Sequence, residues 1–195
     1  MRMRTRIAIL TATVVVLSAS LTSVAGLALD GNAMSGWQGT LNFSSGTLVA
    51  QAQYAVYAPG MYGGVTVPAD EYVYAYQVYN IGSVALTFFT VSLLDGSGAA
   101  NGGTDAAYAY GDPGGDVLSF ATVLPDAFLV SFLSQLQPAT HSVVVLFTSP
   151  NGPTATDASM ADSGKSKQAY GAPAPLPEPA TLILLGLSAL VLRKR

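Results

Sequence analysis

The chain has no cysteine, one histidine and one tryptophan, and only a tenth of its residues are charged. Each scarcity closes off a class of chemistry. Without cysteine there is no disulfide framework, no thiolate metal site and no thiol nucleophile, so a folded domain must rest on its apolar core. At 195 residues the chain is long enough to build one. A lone histidine, His141, needs three carboxylates for company before it can hold zinc. It is also a weak basis for a Ser-His-Asp triad. No G-x-S-x-G elbow is present, and the run THSVVVLF places His141 at a strand start, expected at the surface.

Positive charge is scarcer still away from the termini. Residues 26–176 hold ten carboxylates against Lys165 and Lys167, a net of about −8, with no arginine. Phosphate backbones are bound by clustered Lys and Arg, so nucleic acid is excluded as a partner. An anionic membrane surface would repel this segment for the same reason.

The remaining cations mark the two ends. Arg2, Arg4 and Arg6 precede an apolar run from Ile7 to about Leu21, and Ser23-Val24-Ala25 then supplies small residues. That is the pattern of a signal peptide over 1–25, cut by signal peptidase between Ala25 and Gly26, with Gly26-Leu27-Ala28 as a second candidate site. Export is the expectation. At the other end Ala180 to Leu192 is mostly apolar and is followed by Arg193, Lys194 and Arg195. As a helix this run would be roughly 20 Å long, short of the ~30 Å hydrocarbon core of a bilayer. The three basic side chains can snorkel to lengthen the span and hold that end in the cytoplasm.

Pro177-Glu178-Pro179, the apolar run and the terminal basic cluster occur in an order and spacing that resemble the PEP-CTERM sorting signal of exopolysaccharide-producing Gram-negative bacteria. The resemblance covers residues 177–195. It implies that Pro177, Glu178 and Pro179 are recognised by a membrane-embedded exosortase, a transpeptidase that cuts near the motif. It also implies that the transmembrane helix tethers the protein only transiently. The segments YVYAYQVYN, SVALTFFTV and SVVVLFTSPNGP in addition resemble the passenger domains of many PEP-CTERM proteins, with their tyrosine-rich strand, Asn turn, hydrophobic strand and late FTSP.GP segment.

Between the two labels the pattern is that of strands. Tyr72 to Asn80 alternates so that Tyr72, Tyr74, Tyr76 and Val78 share one face, with Val73, Ala75, Gln77 and Tyr79 on the other. Ile81-Gly82-Ser83 then reads as the turn of a hairpin into a strand over Val84 to Leu94. Further strands are predicted over 39–44, 47–57, 117–123, 128–133, 141–148 and 154–160, separated by Gly, Pro and Asp clusters. Strands without helices to cover a parallel sheet point to an all-β chain. The expected architecture is a single antiparallel β-sandwich over 26–160, immunoglobulin-like or jelly-roll-like, with an eight-stranded barrel as the alternative. Residues 161–176 read as a flexible Pro/Ala-rich linker.

Three sets of residues inside that passenger carry candidate chemistry. The Gly-rich stretch from Leu94 to Asp116 offers Asp95, Asp105, Asp112 and Asp116 as hard oxygen ligands for calcium, although the spacing matches no EF-hand. Tyr72, Tyr74 and Tyr76 would make a glycan-stacking platform if their face is open, and good core packing if it is not. Asp70-Glu71 and Asp112/Asp116 are the only close acidic groups on which a glycoside hydrolase could draw. The reading these observations favour is a non-enzymatic, exported protein without cofactor. It is sorted by an exosortase to the envelope or extracellular matrix, where it plays a structural or adhesive part in exopolysaccharide or biofilm. The alternatives are a carbohydrate-binding module, calcium-dependent or not, and a small hydrolase.

Overall fold

Among the described residues, period-two alternation is realised as twelve strands in two sheets. The computed structural model describes residues 32–63, 66–94, 100–104, 115–116 and 118–176, with the backbone alone at 100–104, 115–116 and 118–120. No helix occurs among the described residues. The signal peptide over 1–25 and the sorting segment over 177–195 lie outside them.

The first sheet, A, runs in the order β1 (Ala33–Ser45), β2 (Leu48–Tyr57), β3 (Tyr72–Asn80), β10 (Val145–Ser149), β5 (Ala100–Thr104). Two short strands extend it, β9 (His141–Ser142) on β3 and β6 (Gly115–Asp116) on β9, the latter pairing parallel. The second sheet, B, runs β12 (Ser166–Pro175), β11 (Pro153–Asp162), β4 (Leu86–Ser92), β8 (Ala127–Leu136), β7 (Leu118–Val123). Apart from β6 with β9, every pairing is antiparallel.

The two sheets pack face to face across one core that draws on both. Leu41, Phe43, Leu48, Tyr74, Tyr76, Val145 and Phe147 enter it from sheet A, and Leu86, Phe89, Phe128, Val130, Leu136 and Met160 from sheet B. Each large apolar side chain removed from water contributes about 1.5–3 kcal/mol before conformational entropy is subtracted. Aromatic edges bind the layers: Phe43 meets Phe89 edge-on at 6.3 Å, and Phe128 lies 4.8 Å from Phe147. A smaller apolar cluster of Ala55, Tyr57, Val73, Ala75, Val144 and Leu146 forms on the outer face of sheet A. Tyr62 and Val67, from the long β2–β3 connection, fold over it.

Two expectations require correction. Ile81-Gly82-Ser83 does not close a hairpin, because β3 belongs to sheet A and β4 to sheet B. The segment is a crossover that lies on the β1–β2 turn, with Ile81 N donating to Val49 O at 3.1 Å and Ser83 N to Thr47 O at 3.4 Å. A Cβ on Gly82 would stand 2.7 Å from Val49 N and 2.8 Å from Thr47 O, so only glycine allows that approach. The stretch 161–176 is likewise not a flexible linker. It contains β12, paired with β11 from Ser166↔Ala161 to Pro175↔Pro153, and the sandwich therefore extends past residue 160. Proline is tolerated there because β12 is the edge of sheet B, where a missing N–H costs no ladder bond.

Candidate functional site

β3 is the hub of the molecule, and its two faces do different work. Its inward face carries the tyrosine row. Tyr74 and Tyr76 are completely buried, and Tyr72 is half-buried beside them. Tyr74 stacks on Phe147 with centroids 4.8 Å apart and planes 2° from parallel, and Tyr76 lies 5.6 Å from Phe89. The row is therefore not an open glycan platform; it is the aromatic centre of the sandwich.

Burying a phenol requires a partner for its hydroxyl. Both hydroxyls find one on the far side of the core. Tyr74 Oη donates to Asn151 O at 2.7 Å, in the β10–β11 connection, and Tyr76 Oη donates to Pro173 O on β12. Burial above all, and the Tyr72 phenol next, push the Tyr74 phenol far above its ordinary range. Burial again leads for Tyr76, followed by Tyr74 and Tyr54. Both remain neutral donors at any physiological pH.

The outward face of β3 carries a buried polar network. Tyr79 Oη donates to Gln77 Oε1 at 2.8 Å, and Gln77 Nε2 donates to Ser142 O at 2.9 Å and approaches His141 Nδ1 at 3.5 Å. His141 Nδ1 is 3.2 Å from Ser142 O, and its ring lies 5.4 Å from that of Tyr79. His141 is thus buried within β9, not a surface strand-end residue. The adjacent serine is committed to the backbone: Ser142 Oγ accepts from Val78 N at 3.0 Å and donates to Val143 O at 2.7 Å. A hydroxyl held on both sides by main chain is poorly placed to act as a nucleophile.

A residue that pattern reading passed over stands at the end of β3. Asn80, almost fully buried, donates through Nδ2 to Val84 O at 2.8 Å and Leu136 O at 2.7 Å, and its Oδ1 accepts from Gly82 N at 3.1 Å. Its own backbone bonds Thr140 O and Ala139 N. The side-chain amide therefore ties the β3–β4 crossover to the end of β8, and the main chain of the same residue holds the segment that leads into β9. The neighbouring chain is held in costly geometry, with Gln135 and Ala139 both at positive φ. An Asn before Ile-Gly-Ser looks like a turn residue, and nothing in the sequence distinguishes that role from a corner clamp.

The acidic candidates are dispersed. Asp70 is exposed and Glu71 precedes β3 with one carboxylate oxygen buried and unbonded. Asp126 and Asp157 are exposed on different turns and strands. Asp162 Oδ1 accepts from Gly164 N and Lys165 N, an Asx turn that closes the β11–β12 hairpin. Asp95, Asp105 and Asp112 lie outside the described residues, and of Asp116 only the backbone, in β6, is described. Among the described residues no three His, Asp or Glu side chains come close enough to hold a metal ion. No helix among them is long and apolar enough to cross a membrane.

The fold is thus an all-β chain of two packed antiparallel sheets. No protein-family model, curated protein or solved structure matches it.

Proposed function

We propose that this is an exported, non-enzymatic β-sandwich protein whose C-terminal label is read by an exosortase, and whose sandwich then serves a structural or adhesive role in the envelope or extracellular matrix. The observation that carries the reading is the position of the label relative to the fold. Among the described residues the final strand pair is Pro175 with Pro153, Leu176 N donates to Gly152 O, and Pro177-Glu178-Pro179 comes next in the sequence. A cut at the label would therefore remove none of the described strand residues. The buried polar groups on β3 support a structural role in the same way, since the Tyr76 hydroxyl and the Asn80 amide reach strands of sheet B, the Tyr74 hydroxyl holds the β10–β11 connection, and the Gln77 amide ties β3 to β9 within sheet A.

The carbohydrate-binding alternative loses its tyrosine platform, because Tyr74 and Tyr76 face the core. The test is processing. Replacing Glu178 with Ala should leave a full-length form in the membrane fraction of the exosortase-bearing host, with the sandwich still folded. Normal processing of that variant would remove the case for motif recognition.

A further inference from the structure

We propose that β1 is a self-association edge: its regular half, Gln38–Ser45, pairs antiparallel with the same strand of a second copy and makes sheet A continuous across the dimer. Among the described residues β1 has one hydrogen-bonded strand neighbour, β2, and β12 of sheet B lies beside it at the border of the sandwich. Edges of this kind are ordinarily blunted by charge, proline, bulges or shortness. β1 is long, and its irregularity is confined to the stretch between Ala33 and Gln38, where Gly36 sits at φ 82. From Gln38↔Ala55 to Ser45↔Leu48 the register with β2 is unbroken. That run, QGTLNFSS, contains neither charge nor proline.

Charge identifies the occupant. Copies that each carry about −8 over residues 26–176 repel one another over most of their surface. From Gly31 to Ala69, however, no residue is charged, and this stretch forms the whole β1–β2 hairpin. Two copies can meet there without apposing like charges. An antiparallel register about a twofold axis normal to the sheet keeps opposite residues on a common face. Leu41 and Phe43, both buried, then stay over the two cores, while Thr40, Asn42 and Ser44 remain outside, where they are exposed. The other outer edge on that side, β12, offers no such run, because Lys167, Gly171, Pro173 and Pro175 interrupt it.

The test uses the full chain in a non-ionic detergent that covers the C-terminal apolar run, followed by sedimentation velocity over a concentration series. The wild-type chain should show a reversible monomer–dimer equilibrium. Thr40→Lys with Asn42→Lys places like charges across the dyad and should weaken association about tenfold or more, whereas Tyr170→Lys on β12 should not change it. Thr40→Glu with Asn42→Glu should also dissociate, and mixing the Lys and Glu variants should restore a mixed dimer. A wild-type chain that stays monomeric throughout would overturn the proposal. So would a dimer indifferent to the β1 charges, or a failure of the two variants to pair.

Discussion

Two strands of comparable length border the same side of the sandwich, β1 on sheet A and β12 on sheet B, and they have been made safe to very different degrees. β12 is disrupted along its length. Gly171, at φ 102, is skipped where Thr156 pairs Ala172 and Asp157 pairs Tyr170, a bulge that breaks the ladder. Pro173 and Pro175 remove two donors, and residues 172–175 are all buried. The Pro173 carbonyl is taken by the Tyr76 hydroxyl reaching across the core. β1 has only its bulge between Ala33 and Gln38, and its second half is an uninterrupted neutral ladder edge. The difference teaches that an edge is closed by local backbone devices together with one well-placed internal donor. A chain can therefore carry these devices on one edge and few of them on its neighbour.

The largest effect is expected at the corner where the chain passes from sheet A to sheet B, away from either edge. Asn80→Ala removes three side-chain hydrogen bonds at the corner, the one to Leu136 O fully buried and those with Val84 O and Gly82 N part-buried. A loss of about 3–5 kcal/mol is expected in chemical denaturation, because unsatisfied buried groups cost about 1–3 kcal/mol each. Gly82→Ala acts on the same crossover by steric means. Its methyl group meets main chain of the β1–β2 turn, so about 2–3 kcal/mol should be lost, with β1 loosened before β12.

Tyr76→Phe acts on the pinned edge alone. The ring stays, the Pro173 carbonyl loses its donor, and about 1–3 kcal/mol should be lost, with faster amide exchange in β12 and little change in β1. The same tyrosines set an alkaline limit. The folded state holds the Tyr74 and Tyr76 protons more tightly than the unfolded chain, whose phenols ionise near pH 10. Stability is thus fully present below about pH 10 and falls as pH rises through the folded values, by up to about 1.4 kcal/mol per pH unit for each phenol. Tyr76→Phe should make the decline of melting temperature above pH 10 shallower. Smallest of all, Thr40→Lys with Asn42→Lys should change monomer stability by less than about 1 kcal/mol, because both side chains are exposed and only the Gln51–Asn42 contact at 3.0 Å is lost.

Most strands were legible because their alternation is strong. The assignment of Tyr72, Tyr74, Tyr76 and Val78 to one face and Val73, Ala75, Gln77 and Tyr79 to the other agrees with how the inner and outer clusters divide them. The face that was core could not be read, since tyrosine suits an open platform and a buried stack equally until its hydroxyl has a partner. Here the partners lie at Asn151 and Pro173, far along the chain. β12 was illegible for a related reason. Lys, Gln, Ala and Pro are weak strand formers, and it is pairing with β11, together with Ala172 and Ala174 entering the core, that makes this segment a strand. His141 was misplaced at the surface because periodicity along one strand does not reveal that the short β6 lies beside β9. The calcium residues remain a reading of the sequence, as Asp95, Asp105 and Asp112 fall outside the described residues.

The measurement that bears most directly on this account is residue-resolved hydrogen exchange of the intact chain, comparing 166–175 with 38–45 at low protein concentration. If β12 is built into the fold and pinned by Tyr76, amides in its buried half, Ala172 and Ala174, will exchange on the slow timescale of the core strands. The outward amides of β1 will exchange much faster. Exchange throughout 166–175 at the rate of an unfolded chain would show that this segment is a linker after all, and would contradict both the closed edge and the contrast drawn from it.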